Sequence, residues 1–219
     1  MAFVSPSRTA QRGCGGARLH DQWGPIEQVA MDRIIGGSTS GESRTAGRQQ
    51  DRKDATDRSS QKPARVMPEM NLFMGDLEDG CNVPELNRSC ITAVVFVCSD
   101  RVPRQYYSSI PGKLAEAEID QLILSSSHSS EFDIRPVMGV AQDFIDCVLK
   151  EKMGGVLVCC DVAGNRSAAV CAAYITEELQ MPLTEAIEEV RKGKGNVLRN
   201  RHLLKQLVQH CFAAGYPLL

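Results

Sequence analysis

Residues 156–170, reading VLVCCDVAGNRSAAV, constrain this chain more tightly than any other stretch. The apolar run at 156–159 has the length and residue types of a short strand covered on both faces. An Ala-rich run with helical character begins at 168. Between Cys160 and Arg166 the turn consists of Asp161, Val162, Ala163, Gly164 and Asn165. A turn this short that feeds a helix directs successive backbone N–H groups inward, and the helix macrodipole adds positive potential at the same place. The expected result is an anion cradle, residues 161–166, with the Cys160 sulfur at its floor. A helix N-terminus and a nearby guanidinium both favour the thiolate over the thiol. Arg166 has a planar fork able to hold two oxygens of a tetrahedral anion, which the point charge of a lysine cannot do.

The rest of the chain supplies a scaffold for such a loop. Residues 91–97, ITAVVFV, form a second continuous apolar run of strand length. Pro136 opens a helical pattern in which Val137, Val140, Ala141, Phe144, Ile145 and Val148 share a face. After the loop, Val170, Tyr174 and Ile175 define one helix and Leu183, Ile187 and Val190 a second. Leu204, Leu207, Val208, Cys211 and Phe212 define a third, stopped at Gly215. Strands alternating with helices predict an α/β fold, a three-layer sandwich with a central, mostly parallel sheet flanked by helices. In such sheets ligands bind at the carboxyl ends of central strands. Residues 98–119 are polar and carry Pro, Arg, Tyr106 and Tyr107 without a clear period.

A composition shift near residue 66 divides the chain. Residues 1–66 are rich in Gly, Ser, Arg, Gln and Asp, with eleven Lys/Arg against seven Asp/Glu, and their few apolar positions predict a disordered N-terminal extension. Residues 67–219 form the expected domain. The formal net charge of -2 argues against a nucleic-acid binder, and no apolar run is long enough to span a membrane. The nine cysteines lack metal-ligand spacing, which points to a reducing, cytoplasmic or nuclear setting.

At the loop the chain resembles the cysteine-dependent protein phosphatases, and among them the small, atypical dual-specificity group, whose signature is His-Cys-x5-Arg-Ser/Thr. Ser167 follows the arginine as that signature requires. Residues 68–75, PEMNLFMG, are similar to the family's short opening strand, and 91–97 to the strand after it. Residues 183–191, Asn200 and Gln206-Leu207 are similar to its two C-terminal helices. The resemblance implies a protein phosphatase that acts on phosphotyrosine and on phosphoserine or phosphothreonine in phosphorylated proteins, with no metal and no cofactor. Cys160 is then the nucleophile, Arg166 the phosphate clamp, and Ser167 a hydroxyl that assists the sulfur as leaving group. No residue pattern suggests an aromatic wall for a phosphotyrosine ring, which fits dual specificity.

Several positions depart from the family pattern. The aspartate that protonates the leaving group is replaced by His128, within SSSHSS at 125–130. An imidazolium can donate a proton there, Asp133 or Glu131 can take its place, or no acid exists. Cys159 stands where the family has the histidine that orients the nucleophile, Ala163 where it has a glycine, and Arg199 where a proline precedes Asn200. These departures motivate an alternative from another class, a catalytically impaired pseudophosphatase that binds phosphoproteins. Phosphate removal from RNA 5′ ends or phosphoinositides is a third possibility, disfavoured by Asp161 standing where a lysine would help hold a polyanion. Cys159 and Cys98 are candidate disulfide partners for Cys160, and the competing reading makes Cys98, Cys147, Cys159 and Cys171 small buried hydrophobes.

Overall fold

The computed structural model describes residues 24–36, 63–99, 104–126, 133–151, 154–161 and 164–219. In chain order the elements are α1 (Pro25–Gly36), β1 (Ala64–Arg65), β2 (Leu72–Asp76), α2 (Leu77–Cys81), α3 (Val83–Arg88), β3 (Ile91–Ser99), α4 (Arg104–Glu116) and β4 (Asp120–Ser126). They continue with α5 (Arg135–Glu151), β5 (Gly155–Cys160), α6 (Arg166–Leu179), α7 (Leu183–Lys194) and α8 (Arg201–Ala214). The five-stranded sheet has the order β1-β2-β5-β3-β4. Only β1 is antiparallel, against β2; the other neighbours are parallel. The fold is therefore the α/β sandwich expected from the alternation of strands and helices.

Because a strand turns successive side chains to opposite faces, β3 and β5 feed two cores. Val95, Val97, Val156, Val158 and Cys160 face the larger one, formed with α1, α5, α6, α7 and α8. Val94, Phe96, Cys98, Leu157 and Cys159 face the smaller one, which includes Leu77, Leu86, Ile110 and Leu114 of α2, α3 and α4. Being apolar on both faces, these strands need cover on both sides, which the helices supply. Each fully buried Val or Leu side chain contributes about 1.5–3 kcal/mol by leaving water.

Three differences from the sequence reading have physical causes. Helix α1 lies inside the segment read as disordered, yet Ala30, Met31 and Ile34 are buried in the larger core. Its apolar residues are split, with Ile26 and Val29 exposed and Ala30, Met31 and Ile34 buried, so docking rather than a clean apolar stripe supplies the burial. In α5 the buried face is Met138, Ala141, Gln142, Ile145 and Val148, whereas Val140 is 49% exposed. The helix is rotated from the expected stripe because the polar Gln142 is turned inward. There its amide donates to Glu177 Oε2 at 2.6 Å and its carbonyl pairs with His210 Nε2 at 2.7 Å. Finally, part of the unassigned stretch 98–119 forms α4 and the end of β3. Gly215, at φ +77, closes α8 as the glycine stop signal predicts.

Two tests follow from this packing. Burial lowers the His210 pKa below its usual value, against an opposing pull from the Glu177 carboxylate, so the neutral ring is favoured in the folded protein. The stabilisation it gives is complete above pH ~6.5 and is lost as pH falls from there through the lowered folded value. The drop in Tm between pH 7.5 and pH 5.5 is accordingly larger in wild type than in His210→Gln, which keeps a donor for Gln142; equal drops would contradict this. A Cβ on Gly80 would stand 2.8 Å from Cys159 Sγ and 2.8 Å from the Phe96 ring. Gly80→Ala is expected to lower unfolding free energy by about 1–3 kcal/mol in urea titrations.

Candidate active site

The sheet sets the site by placing β5 between β2 and β3, with Cys160 in register with Asp76 on one side and Val97 on the other. Strand β5 is buried along its whole length, and it ends at Cys160, the last residue before the loop. The chain then enters α6 at Arg166, whose N-cap residue is Asn165. Cys160 Sγ lies 3.2 Å from Ser167 Oγ, with both residues buried. The sulfur thus meets a hydroxyl in the first turn of a 14-residue helix whose N-terminal end is directed at the loop. The sequence reading had this pair as nucleophile and assistant, and the two side chains are in contact.

Arg166 is almost fully buried, unusual for an arginine, and its Nη2 donates to Asp161 Oδ2 at 3.1 Å. Guanidinium and carboxylate belong to the two ends of the same loop. Val162 and Ala163, assigned to the cradle from sequence, lie outside the described residues, as do His128 and Glu131. Gly164 and Asn165 are held from a distance. The Leu198 N–H donates to the Gly164 carbonyl at 2.9 Å, and the Asn200 N–H donates to Asn165 Oδ1 at 3.1 Å. Leu198 adopts φ +58, a left-handed conformation that a branched side chain takes only at some cost. Asn200 also caps α8, its Oδ1 accepting from His202 N at 2.9 Å and Leu203 N at 3.3 Å. From sequence Asn200 is only a point of resemblance to the family. Its role as a loop anchor has no local signature, because the contact spans 35 residues.

Asp133, an alternative proton donor in the sequence reading, is fixed by its neighbour. Its carboxylate accepts from Arg135 N, Nε and Nη2 at 3.0, 2.8 and 2.7 Å. These Arg135 hydrogen bonds hold the carboxyl below the usual range, so it is ionised at neutral pH and poorly suited to donate a proton.

The cysteines divide by face. Cys159 is fully buried on the side opposite Cys160, against Phe96 and the α2 backbone at Gly80. Burial pushes its thiol well above the ordinary range. Cys98 shares that smaller core, so neither Cys98 nor Cys159 projects into the core occupied by Cys160, and the pairing of Cys160 with Cys98 or Cys159 is not supported by this arrangement. Cys171 on α6 is the other cysteine in electrostatic reach of Cys160 within the larger core, and its thiol too is raised by burial. Cys147 is exposed and donates to Glu151 Oε2 at 3.5 Å, so it is not the buried hydrophobe expected. Among the described residues no group of His, Cys, Asp and Glu is arranged to hold a metal ion, and no helix is long and apolar enough to cross a membrane.

Comparison with known proteins gives the same answer as the strand, loop and helix. A family model described as the dual specificity phosphatase catalytic domain matches residues 81–211. Bovine dual specificity protein phosphatase 26 is 32% identical over 137 residues, 63% of this chain and 62% of that protein, so the match spans less than two thirds of the relative. Human DUSP28 has a similar fold at 21% identity and TM-score 0.59, covering 70% of this chain and 95% of that one. So does human tyrosine phosphatase-like serine/threonine/tyrosine-interacting protein, at 21% identity and TM-score 0.59, covering 72% of this chain and 99% of that one. The chain belongs to the dual specificity phosphatase catalytic-domain family, within the cysteine-dependent phosphatase superfamily.

Proposed function

We propose that this protein is a phosphatase for phosphotyrosine and for phosphoserine or phosphothreonine in proteins, working through a cysteinyl-phosphate. The observation that carries the reading is the 3.2 Å contact of Cys160 Sγ with Ser167 Oγ at the N-terminus of α6, with Arg166 on the same helix turn. In the first step the Cys160 thiolate attacks phosphorus in line. A sulfur–phosphorus bond forms, the phosphorus–oxygen bond to the substrate breaks, and the departing oxygen takes a proton from His128. Arg166 and the loop N–H groups of residues 161–166 hold the equatorial oxygens, where charge develops in the transition state. In the second step water attacks phosphorus and gives a proton to the now neutral His128, and the sulfur leaves as thiolate, stabilised by the Ser167 hydroxyl; inorganic phosphate departs and the enzyme is regenerated with His128 protonated again. This is covalent catalysis that divides one difficult displacement into two.

A second reading, a module that binds phosphoproteins without hydrolysing them, draws support from Cys159. Fully buried on the opposite face, it cannot supply the hydrogen bonds that a histidine gives the nucleophile in the family pattern.

Turnover of an aryl phosphate separates the two readings. Wild type is expected to hydrolyse it and Cys160→Ser to fall to the uncatalysed blank; equal rates, with phosphopeptide binding retained in both, would leave only the binding module. His128→Ala is expected to slow alkyl phosphates by about 100-fold or more while sparing aryl phosphates with good leaving groups. Loss of a hydrogen bond to the leaving sulfur is worth about 10- to 100-fold. Ser167→Ala should therefore slow the second step by that factor and accumulate phosphorylated Cys160, detectable by a burst of product in rapid-quench kinetics.

A further inference from the structure

We infer that Asp161 is a specificity-determining residue of this site: its carboxylate holds Arg166 and selects phosphate monoesters in neutral or basic protein segments over polyanionic ligands. The inference rests on the reading of residues 161–166 as a phosphate site. It starts from the 3.1 Å hydrogen bond of Arg166 Nη2 to Asp161 Oδ2, between a guanidinium 9% exposed and a carboxylate 17% exposed.

An arginine fork binds carboxylate and phosphate through the same geometry. A carboxylate in the residue next to the nucleophile is therefore a competitor for the clamp, covalently tethered and present at high effective concentration. A phosphate that enters the loop either displaces Asp161 from Arg166 or sits beside it. Displacement costs the ion pair, and breaking a pair this well buried is expensive unless the incoming anion replaces it. Coexistence puts a phosphate dianion beside a carboxylate in a partly desolvated site, where like charges repel strongly. Either way Asp161 lowers affinity for the phosphate group itself, and every additional negative charge on the ligand adds to the penalty.

One neighbouring carboxylate acts in the same direction. Asp76 stands in register with Cys160 at the end of the neighbouring strand. Its carboxylate accepts from the Asp79 N–H, and the Asp79 carboxylate accepts in return from the Asp76 N–H. Asp79 is itself buried with Lys194 3.9 Å away, and burial raises its pKa. The end of β5 thus has Asp161 in the loop and Asp76 at the registered position of β2, while Asp79 lies on the Cys159 side and is paired with Lys194. A segment with basic or neutral residues beside the phosphorylated one is favoured there. A phosphoinositide headgroup or a 5′-phosphorylated RNA, with several anionic groups in reach, is disfavoured.

Calorimetric titration with tungstate tests the inference without relying on turnover, using the full chain as Cys160→Ser and as Cys160→Ser/Asp161→Asn. The second protein is expected to bind about tenfold more tightly at low salt, with the gap narrowing as salt is added. Equal or weaker binding, including no binding by either protein, overturns the inference. The second arm uses two phosphopeptides that differ only in acidic against basic flanks, and vesicles carrying a phosphoinositide. Asp161→Asn is expected to reduce the preference for basic flanks severalfold and to raise phosphoinositide binding; an unchanged preference overturns the inference, since a purely structural role for Asp161 would not alter it. Asp161→Ser, which also removes the charge, should reproduce both effects and guards against a folding defect in one variant. The outcomes also separate this inference from the phosphatase reading. Absence of turnover with the tungstate difference intact removes the activity and keeps Asp161 as selector, whereas turnover with no difference does the reverse.

Discussion

A strand presents alternate side chains to opposite faces, and in the central strand β5 this rule places adjacent cysteines in different compartments. Cys160 enters the larger core beneath α6, where it meets Ser167; Cys159 enters the smaller one against α2 and Phe96. The arrangement depends on β5 being flanked by parallel strands and covered on both sides, so that its carboxyl end, and with it the sulfur, has one position only. A register slip of a single residue would exchange the two thiols and remove the reactive geometry altogether. The apolar packing of VLVCC is thus what fixes the position of the Cys160 sulfur, more than any property of the loop residues taken singly.

That dependence explains which parts of the molecule can be read directly from sequence. β3, β5, α6, α7 and α8 are legible because their apolar residues repeat with the period of the element and their ends carry glycine or a capping residue, as Asn200 and Gly215 do for α8. The loop is legible because strand, short turn and helix are contiguous. The elements that escape are those whose stability comes from partners far along the chain. Helix α1 spreads its apolar residues over buried and exposed faces within a polar segment, yet docks three of them. The inward turn of Gln142 depends on Glu177 and His210, which no window around residue 142 contains.

The same reasoning separates the candidate residues. Cys160, Ser167 and Arg166 are neighbours in sequence and are brought together by one turn of helix, so spacing alone announces them. The pairing of Arg166 with Asp161 is equally local, but spacing only suggests that a carboxylate is an awkward companion for a phosphate. Its engagement with the guanidinium is a matter of geometry. Asp133 is the converse case: a plausible proton donor by position, it is committed to Arg135 and stays ionised.

The loop is also tied to residues that lie much later in the chain. Gly164 and Asn165 are fastened by the amides of Leu198 and Asn200, beyond α7. During synthesis on the ribosome, β5 and α6 leave the exit tunnel well before those fasteners do. The nascent chain therefore presents Cys160 before the amides of Leu198 and Asn200 are available to fasten Gly164 and Asn165.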